Sequence, residues 1–242
     1  MKTAPARQET PLISIIIPAF KIDIELRRCI DSVRTACPDP NKCEIIVVVP
    51  PRELSKDDNL LIGERLIAES HPSIYGAMND GISASAGRYM YFLGKDDIVL
   101  PRFREALDRL ESSLPSALFF DVYWGAKGIY SGRPSRLNII KSNLCHQGII
   151  YSRETIKRWG PYVRKMKVQA DHLLNIRLLW DRECAHRFEY INMPLTWYSD
   201  AGFSSQNASD PTFWRLYPLI LEKYVGKWAA GLLILYRKLR SR

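Results

Sequence analysis

Two stretches near the start of the chain consist almost entirely of apolar, mostly β-branched residues. They cover residues 12–17 and 45–49, and a proline follows each of them. Such near-continuous runs are typical of strands that are buried on both faces of a parallel sheet. Between them, apolar residues recur at helical spacing after Asp23, a residue type that often caps a helix. The order strand, helix, strand predicts a parallel βαβ unit.

The same alternation continues along the rest of the chain. Strands are predicted over residues 89–93, 117–124, 148–151 and 188–193. A helix is predicted over residues 74–87, with a break at Gly81, and a second helix starts at Pro101. Two more helices are predicted, one that Ser152 caps and Gly160 ends, and one over residues 170–180. The remaining segments are interpreted as helix and connection at residues 54–70 and as a loop or short hairpin at residues 125–142. The pattern predicts an α/β fold in which helices flank a mostly parallel sheet.

The composition changes at Pro211. Residues 211–242 combine aromatic and basic side chains around a short apolar patch at residues 228–236. We therefore expect a main domain over residues 1–210 and a helical C-terminal tail over residues 211–242. A basic, aromatic helix is typical of attachment to an anionic membrane surface. A helix packed on the domain is the alternative.

Charge and cysteine content indicate the kind of partner and the cellular compartment of the protein. Its 242 residues carry a formal net charge of +9, which favours an anionic partner. The five cysteines lack C-x-x-C spacing, so we interpret them as buried, reduced thiols of a reducing compartment. The first ten residues lack the apolar core of a signal peptide, and no segment reaches the roughly 18 apolar residues of a spanning helix. We expect a cytoplasmic protein that is peripheral at the inner face of the cell membrane.

An aromatic, apolar run at residues 89–93 leads directly into a turn that carries Asp96 and Asp97. Because burying an unpaired carboxylate is costly, this acid pair marks the point at which the strand leaves the core. Carboxylates at such a strand end are well placed to hold a hard cation on a bound phosphate. The alternative is an ordinary turn with two solvated acids. The prolines that end the first two strands lie at equivalent positions, so the three ends are expected to converge on one ligand crevice.

Five short segments, in the same order, resemble inverting family-2 glycosyltransferases with the GT-A fold, of the bacterial cell-surface polysaccharide type. The matching segments are residues 14–20, 74–82, 86–97, 146–147 and 170–171. The resemblance spans roughly residues 12–205, and several short motifs in order are more specific than any one of them. It implies transfer of a sugar from a nucleotide-sugar donor, a UDP-sugar in the first instance, to an acceptor hydroxyl with Mg or Mn.

The resemblance also implies roles for individual residues. Asp97 is the first-choice metal ligand, and Asp96 contacts the ribose or a metal-bound water. Asp171 is the base that takes the proton from the acceptor hydroxyl, while a helix cap is the alternative role for an Asp at this position. His146 and Gln147 are expected to contact the substrate or the diphosphate, and a structural role is the alternative for the histidine.

Pro18 and Ala19, at the end of the first strand, are expected to line the nucleotide site. Two residues depart from the family pattern: Val49 replaces an acid that contacts the nucleotide base, and Gly76 replaces an Asp. Two polar contacts to the donor are therefore missing, which leaves the donor base open. An acceptor sugar carried on a polyprenyl diphosphate lipid is in keeping with the basic, aromatic tail.

Two other classes of function fit part of the pattern. A sugar-1-phosphate nucleotidyltransferase also binds a nucleotide with a metal on an α/β fold, but it usually needs a glycine-rich loop that residues 18–21 lack. A non-catalytic nucleic-acid-binding module is compatible with the charge, but the sequence has no RNP-like, zinc-finger or helix-turn-helix signature. We therefore expect no nucleic-acid partner. Arg133 and Arg136, in a basic loop, are further candidates for contact with a diphosphate, and a solvated loop is the alternative.

Overall fold

The computed structural model describes residues 10–54, 63–185, 187–199 and 209–240. These residues form one nine-stranded sheet from β1 (Ile13–Pro18), β2 (Cys43–Val49), β3 (Arg65–Ala68), β4 (Tyr89–Phe92), β5 (Ile98–Val99), β6 (Ala117–Trp124), β7 (Ile129–Tyr130), β8 (Ile149–Ser152) and β9 (Phe188–Tyr198). The helices that surround it are α1 (Ile24–Ala36), α2 (Pro51–Leu54), α3 (Ile74–Ala84), α4 (Phe103–Ser113), α5 (Arg136–Lys141), α6 (Arg153–Trp159), α7 (Ala170–Trp180), α8 (Arg182–Ala185), α9 (Pro211–Val225) and α10 (Lys227–Arg240).

The strands follow the order β3-β2-β1-β4-β8-β6-β9-β5 across the sheet, with β7 paired to β6. Strands β1, β2, β3, β4, β6 and β9 run in one direction, and β5, β7 and β8 run in the other. The predicted α/β fold with a mostly parallel sheet and flanking helices is therefore confirmed. The parallel strands bring their carboxyl ends to the same edge, where ligands of such sheets bind.

Each face of the sheet has its own hydrophobic core, because alternate side chains of a strand point to opposite faces. Ile16 of β1 belongs to the core shared with α3, α7 and α9. Ile15 and Ile17 belong to the core shared with α1 and α4. All three side chains are fully buried. Burial on both faces explains why the β1 sequence is a near-continuous apolar run rather than an alternating one.

Several predicted helix boundaries are confirmed. The Asp23 carboxylate accepts the N–H of Leu26 at 3.2 Å and caps α1. The Ser152 hydroxyl accepts the N–H of Thr155 at 3.1 Å and caps α6, which ends at Gly160. Helix α7 and strand β6 span the residues predicted for them.

Three predicted segments differ from the structure. Residues 65–68, within the segment predicted as helix and connection, form strand β3. They do so because they pair with β2, a contact that a four-residue segment does not reveal in its own pattern. Residues 125–142 contain the predicted hairpin strand β7, but they also contain α5, which the hydroxyl of Ser135 caps. Strand β9 continues past residue 193 to Tyr198, because it pairs along β6 and then with β5.

The helix that was expected to break at Gly81 is continuous. Helix α3 runs through this residue, which faces β1. A Cβ here would overlap Cγ2 of Ile16, so the glycine allows the helix to pack closely on the strand and does not end it. The sequence alone does not distinguish these two uses of a glycine.

Two of the five cysteines are not free thiols. Cys37, at the end of α1, and Cys43, at the start of β2, form a disulfide across a Cα distance of 6.5 Å. The prediction of five reduced thiols is therefore wrong, because the turn at residues 38–42 brings the two ends of these elements together. The free thiols are Cys29, Cys145 and Cys184.

The two C-terminal helices differ in how they meet the domain. Helix α9 packs into the core: the Phe213 ring stacks on His172 at 4.9 Å, and the Tyr217 hydroxyl donates to a carbonyl of α5. Helix α10 instead exposes Trp228 (90%) and Leu232 (69%). Among the described residues, no helix is both long enough and apolar enough to cross a membrane.

Gly81→Ala is expected to lower the free energy of unfolding by about 1–3 kcal/mol, because the new methyl group forces its neighbours apart. Denaturant unfolding followed by circular dichroism measures the loss. Gly231→Ala is the matched control, since Gly231 lies in α10 with nothing within 4 Å of a new Cβ and alanine favours helix. Equal stability of Gly81→Ala and the wild-type protein would contradict the close approach of α3 to β1.

Candidate active site

A cleft of about 390 Å³ lies at the carboxyl edge of the sheet. Five strands each contribute one residue to its wall: Pro18 ends β1, Leu93 follows β4, Trp124 ends β6, Tyr130 ends β7 and Tyr198 ends β9. The rest of the wall comes from Gly94, from α3, from the turn before β8 and from the start of α7 with the two residues before it. The ends of β1 and β4 thus meet at one crevice as expected, whereas Pro50, after β2, does not line it.

Asp171 lies in the first turn of α7 and lines the cleft. Its Oδ1 accepts the Tyr75 hydroxyl at 2.6 Å, and its Oδ2 accepts Nδ2 of Asn143 at 2.5 Å. Gln169, at the N-cap position just before α7, has a φ of 71° and makes no side-chain cap. In the described part of the chain, no backbone N–H of α7 donates to the Asp171 carboxylate. Side chains of other segments, and not a cap, therefore hold this acid.

Asp97 is fully buried under the turn that follows β4. Its Oδ2 accepts the N–H of Gly94 at 2.7 Å, and its Oδ1 accepts the N–H of Ser199 at 3.1 Å. Burial, followed by the negative charge of Asp96, raises the pKa of Asp97 to about 7 in spite of these donors. The carboxylate is thus anchored in place but electrostatically unfavourable.

Both carboxylates of the acid turn converge on Gly94. A Cβ at this residue would lie 2.8 Å from Oδ2 of Asp97 and 2.9 Å from Oδ1 of Asp96. Gly94 itself lines the cleft, and Asp96 is half-buried beside it. Within the described ranges, no three His, Cys, Asp or Glu side chains are grouped to hold a metal. A cation at this turn would take further oxygens from its ligand, as Mg²⁺ does with one or two carboxylates and substrate phosphates.

His146 and Gln147 line the cleft, but the protein uses polar atoms of both. Nε2 of His146 shares a hydrogen bond with the Tyr162 hydroxyl at 2.8 Å, and its ring stacks on Phe92 at 5.0 Å. Burial lowers the pKa of this histidine, which keeps the ring neutral at pH 7. Oε1 of Gln147 accepts the Cys145 thiol at 3.3 Å. These contacts favour a structural role for the histidine and a supporting role for the glutamine.

The other residues considered for the nucleotide site differ in whether they reach the cleft or are buried behind it. Pro18 lines the cleft, while Ala19 is buried and donates its N–H to a β2 carbonyl at 2.9 Å. Val49 is fully buried in the core that contains α1, so it adds no side chain to the cleft. A Cβ on Gly76 would lie 2.5 Å from the carbonyl oxygen of His71. The local backbone therefore leaves no room for the Asp that the family pattern has at residue 76.

Sequence reasoning missed several polar and aromatic residues of the cleft wall. Tyr75 lies within a segment that carries the family resemblance, which is the one signal that points to it. No sequence pattern points to Asn143, because its hydrogen bond to Asp171 arises only from its position beside α7 in the fold. The indole N–H of Trp124 is buried without a hydrogen-bond partner among the described residues, and its ring packs on Tyr130 and Tyr198 at 5.3 and 5.6 Å.

Arg133 and Arg136 do not line the cleft. The Arg133 guanidinium lies 5.8 Å from the centre of the Tyr190 ring, and Nε of Arg136 donates to the Leu179 carbonyl at 2.9 Å. Arg136 therefore has its partner away from the cleft, whereas Arg133 lines an adjoining pocket that shares Tyr130, Asn143 and Leu144 with the cleft.

The fold resembles that of solved glycosyltransferases. TarS of S. aureus in complex with UDP-GlcNAc superposes with a TM-score of 0.66 at 13% sequence identity, over 88% of this chain and 67% of that one. The mannosyltransferase PcManGT of Pyrobaculum calidifontis, in complex with GDP-Man and Mn²⁺, gives a TM-score of 0.51 at 16% identity, over 80% of this chain and 57% of that one. At these identities the likeness establishes the GT-A fold.

Sequence similarity to known proteins identifies the family of this chain. No family model matches the chain. A PGL/p-HBAD biosynthesis glycosyltransferase of Mycobacterium tuberculosis is 30% identical over 227 residues, which cover 86% of this chain and 85% of the relative. A protein of the same description from Mycobacterium bovis matches equally well. The chain belongs to the glycosyltransferases.

Proposed function

We propose that this glycosyltransferase is an inverting family-2 enzyme that moves a sugar from a nucleoside-diphosphate sugar to an acceptor hydroxyl, with Asp171 as the general base. The observation that carries the proposal is the Asp171 carboxylate itself, which lines the cleft and is oriented by two side-chain donors. The acid turn borders the same cleft through Gly94, which supports a diphosphate site in the cleft that Asp171 lines.

The acceptor hydroxyl is a weak nucleophile until a base takes its proton. In the proposed reaction it lies within hydrogen-bond reach of Asp171, and its oxygen bonds to the anomeric carbon from the side opposite the diphosphate. The bond from that carbon to the diphosphate oxygen breaks, and the nucleoside diphosphate leaves with the electron pair. The hydroxyl proton ends on Asp171. A single displacement of this kind inverts the anomeric configuration.

Asp96 and Asp97 are the residues that would hold Mg or Mn. When bound, the cation supplies Lewis-acid stabilisation of the charge on the departing diphosphate. Two observations support this assignment: both carboxylates converge on Gly94, and their mutual repulsion contributes to the raised pKa of Asp97. Asp96 is the more accessible of the two, and Asp97 is the fully buried neighbour in the same turn.

A UDP-sugar is the first donor to test. The solved TarS complex holds UDP-GlcNAc and the PcManGT complex holds GDP-Man, which supports a nucleoside-diphosphate sugar in general. Since Val49 and Gly76 bring no polar side chain, the base must be selected by other residues. The mycobacterial relatives are named for PGL/p-HBAD biosynthesis. For this chain we propose bacterial surface polysaccharide biosynthesis (capsule, O-antigen or exopolysaccharide), with an acceptor sugar on a polyprenyl diphosphate.

Asp171→Asn is expected to keep donor binding and to lose about 10²-fold or more in transfer, because Asn preserves the size of the side chain but does not take the proton. Release of UDP from UDP-glucose, UDP-galactose and UDP-N-acetylglucosamine, with water or an added sugar as acceptor, measures the reaction. Titration calorimetry with UDP measures binding. Activity within about threefold of the wild-type enzyme would remove Asp171 as the base.

UDP binding is expected to be at least about tenfold tighter with Mn²⁺ than with a chelator, and Asp97→Asn or Asp96→Asn should abolish most of this difference. Titration calorimetry on each variant, in both conditions, provides the comparison. Asp108→Asn, at an exposed acid of α4, is the matched control for the loss of one negative charge. If wild type and variants bind UDP equally under all conditions, the acid turn holds no functional cation.

We also propose that the protein works at an anionic membrane surface as a peripheral protein. Trp228 and Leu232 lie four residues apart on α10, so they share one exposed face. Lys223 and Lys227 are exposed nearby, and the chain carries a net charge of +9. Aromatic and apolar side chains beside lysines are the combination that binds an anionic membrane interface. Because α9 packs into the core, the proposed apolar anchor is on α10, and Lys223 near the end of α9 adds positive charge beside it.

Replacing both Trp228 and Leu232 by Glu is expected to weaken binding to phosphatidylglycerol vesicles by about tenfold or more, because it removes two apolar anchors and adds two negative charges. Vesicle co-sedimentation at low and high salt measures the effect. The control is Leu137→Glu on α5, since Leu137 and Leu232 are equally exposed at 69%. Retained UDP binding verifies the fold, and vesicle binding equal to that of the wild type would show that α10 is not the anchor.

A further inference from the structure

We propose that Tyr75 and Asn143 are positioning residues, which hold the Asp171 carboxylate in the orientation that receives the acceptor proton. The inference rests on the proposed role of Asp171 as the base and extends it to two residues that act through this carboxylate. Tyr75 lies on α3, Asn143 in the turn before β8 and Asp171 on α7. Three separate segments therefore have to be assembled before the carboxylate is oriented.

Tyr75 acts as a fixed donor. Its hydroxyl lies 2.6 Å from Oδ1 of Asp171, its side chain is buried, and its ring packs on Tyr162 at 5.4 Å. Burial, and then the negative charge of Asp171, raise the pKa of Tyr75 well above its ordinary value. The phenol therefore stays protonated near neutral pH, and it donates to the carboxylate without competing with it as a base.

The neighbours of Asn143 fix the direction of its amide. Its Oδ1 accepts the N–H of Leu144 at 2.9 Å and Nδ2 of Asn175 at 3.1 Å. An amide carries its acceptor on one side and its donors on the other, so Nδ2 of Asn143 is left to donate to Asp171. Reversing the amide would set its NH₂ group against two other donors and its oxygen against a carboxylate.

Asn175 is fixed in the same way one step further from the cleft. It is fully buried, and its Oδ1 accepts the Tyr151 hydroxyl at 2.8 Å, so its Nδ2 donates to Asn143. Tyr151, Asn175 and Asn143 thus form a one-way series of donors that ends on Oδ2 of Asp171. In a buried series each bond polarises the next, and the whole arrangement is rigid.

The two donors restrict what the carboxylate can do. A carboxylate has roughly four lone-pair positions, and Tyr75 and Asn143 occupy one on each oxygen of Asp171. Rotation of the carboxylate would break both bonds at once. Because Asp171 lines the cleft, the positions that remain are those available to a substrate hydroxyl.

The test compares Tyr75→Phe, Asn143→Ala and Asp171→Asn, alone and combined, by UDP release from the UDP-sugars named above. Each of the first two changes is expected to lower kcat by about tenfold or more, with KM for the UDP-sugar within about twofold. In the Asp171→Asn background neither change should lower kcat further, because its target carboxylate is gone. A crystal structure of each single variant should show Asp171 in a second rotamer, which provides a readout that does not depend on activity.

Tyr162→Phe is the matched control, since it removes the hydroxyl of a neighbouring buried tyrosine that bonds to His146 and not to Asp171. It should leave kcat within about twofold of the wild-type value. If Asp171→Asn is inactive but Tyr75→Phe and Asn143→Ala are as active as the wild type, the positioning role of Tyr75 and Asn143 is wrong. The role of Asp171 as the base is then retained. If Asp171→Asn is fully active, the proposed base is wrong. An equal loss in Tyr162→Phe, additive effects with Asp171→Asn, or an unmoved Asp171 side chain would each overturn the positioning role.

Discussion

The buried carboxylate of Asp97 is the constraint on which the geometry of the cleft depends. An unpaired charge is far too costly to bury, so this acid requires donors wherever the fold places it. Its donors are the backbone N–H groups of Gly94 in its own turn and of Ser199 after β9. The bonds that satisfy the carboxylate therefore also fix the turn after β4 and the end of β9 relative to one another. Neither segment can withdraw without leaving a buried carboxylate under-satisfied.

The main features of the fold follow from patterns that are local in the sequence. The runs that became β1 and β2 are apolar because both faces of these strands are covered, and the caps at Asp23 and Ser152 are chemistry within a few residues. Features that depend on distant partners were not predictable in this way. Strand β3 exists because β2 lies beside it, and Gly81 is tolerated in α3 because Ile16 needs the space.

The residues of the candidate site also differ in whether a local sequence pattern reveals them. The acid pair and Asp171 stand out in the sequence because carboxylates follow apolar runs or begin an apolar helix. Their partners do not stand out, since Asn143 is 28 residues from Asp171 and Ser199 is 102 residues from Asp97. The donor from Ser199 is moreover a backbone N–H, which every residue except proline carries. A sequence pattern can therefore suggest which acids matter, whereas their orientation and electrostatics require the assembled fold.

Asp97 and Asp171 show how one residue type is prepared for two different proposed tasks. Asp97 is fully buried, a backbone N–H donates to each of its oxygens, and burial together with the charge of Asp96 raises its pKa to about 7. Such an acid has little freedom to receive a substrate proton, whereas a bound cation would stabilise its charge. Asp171 lines the cleft with one donor on each oxygen and keeps lone pairs for a hydroxyl. The number, source and direction of the donors, and not the aspartate side chain itself, separate the acid suited to a cation from the acid suited to a proton.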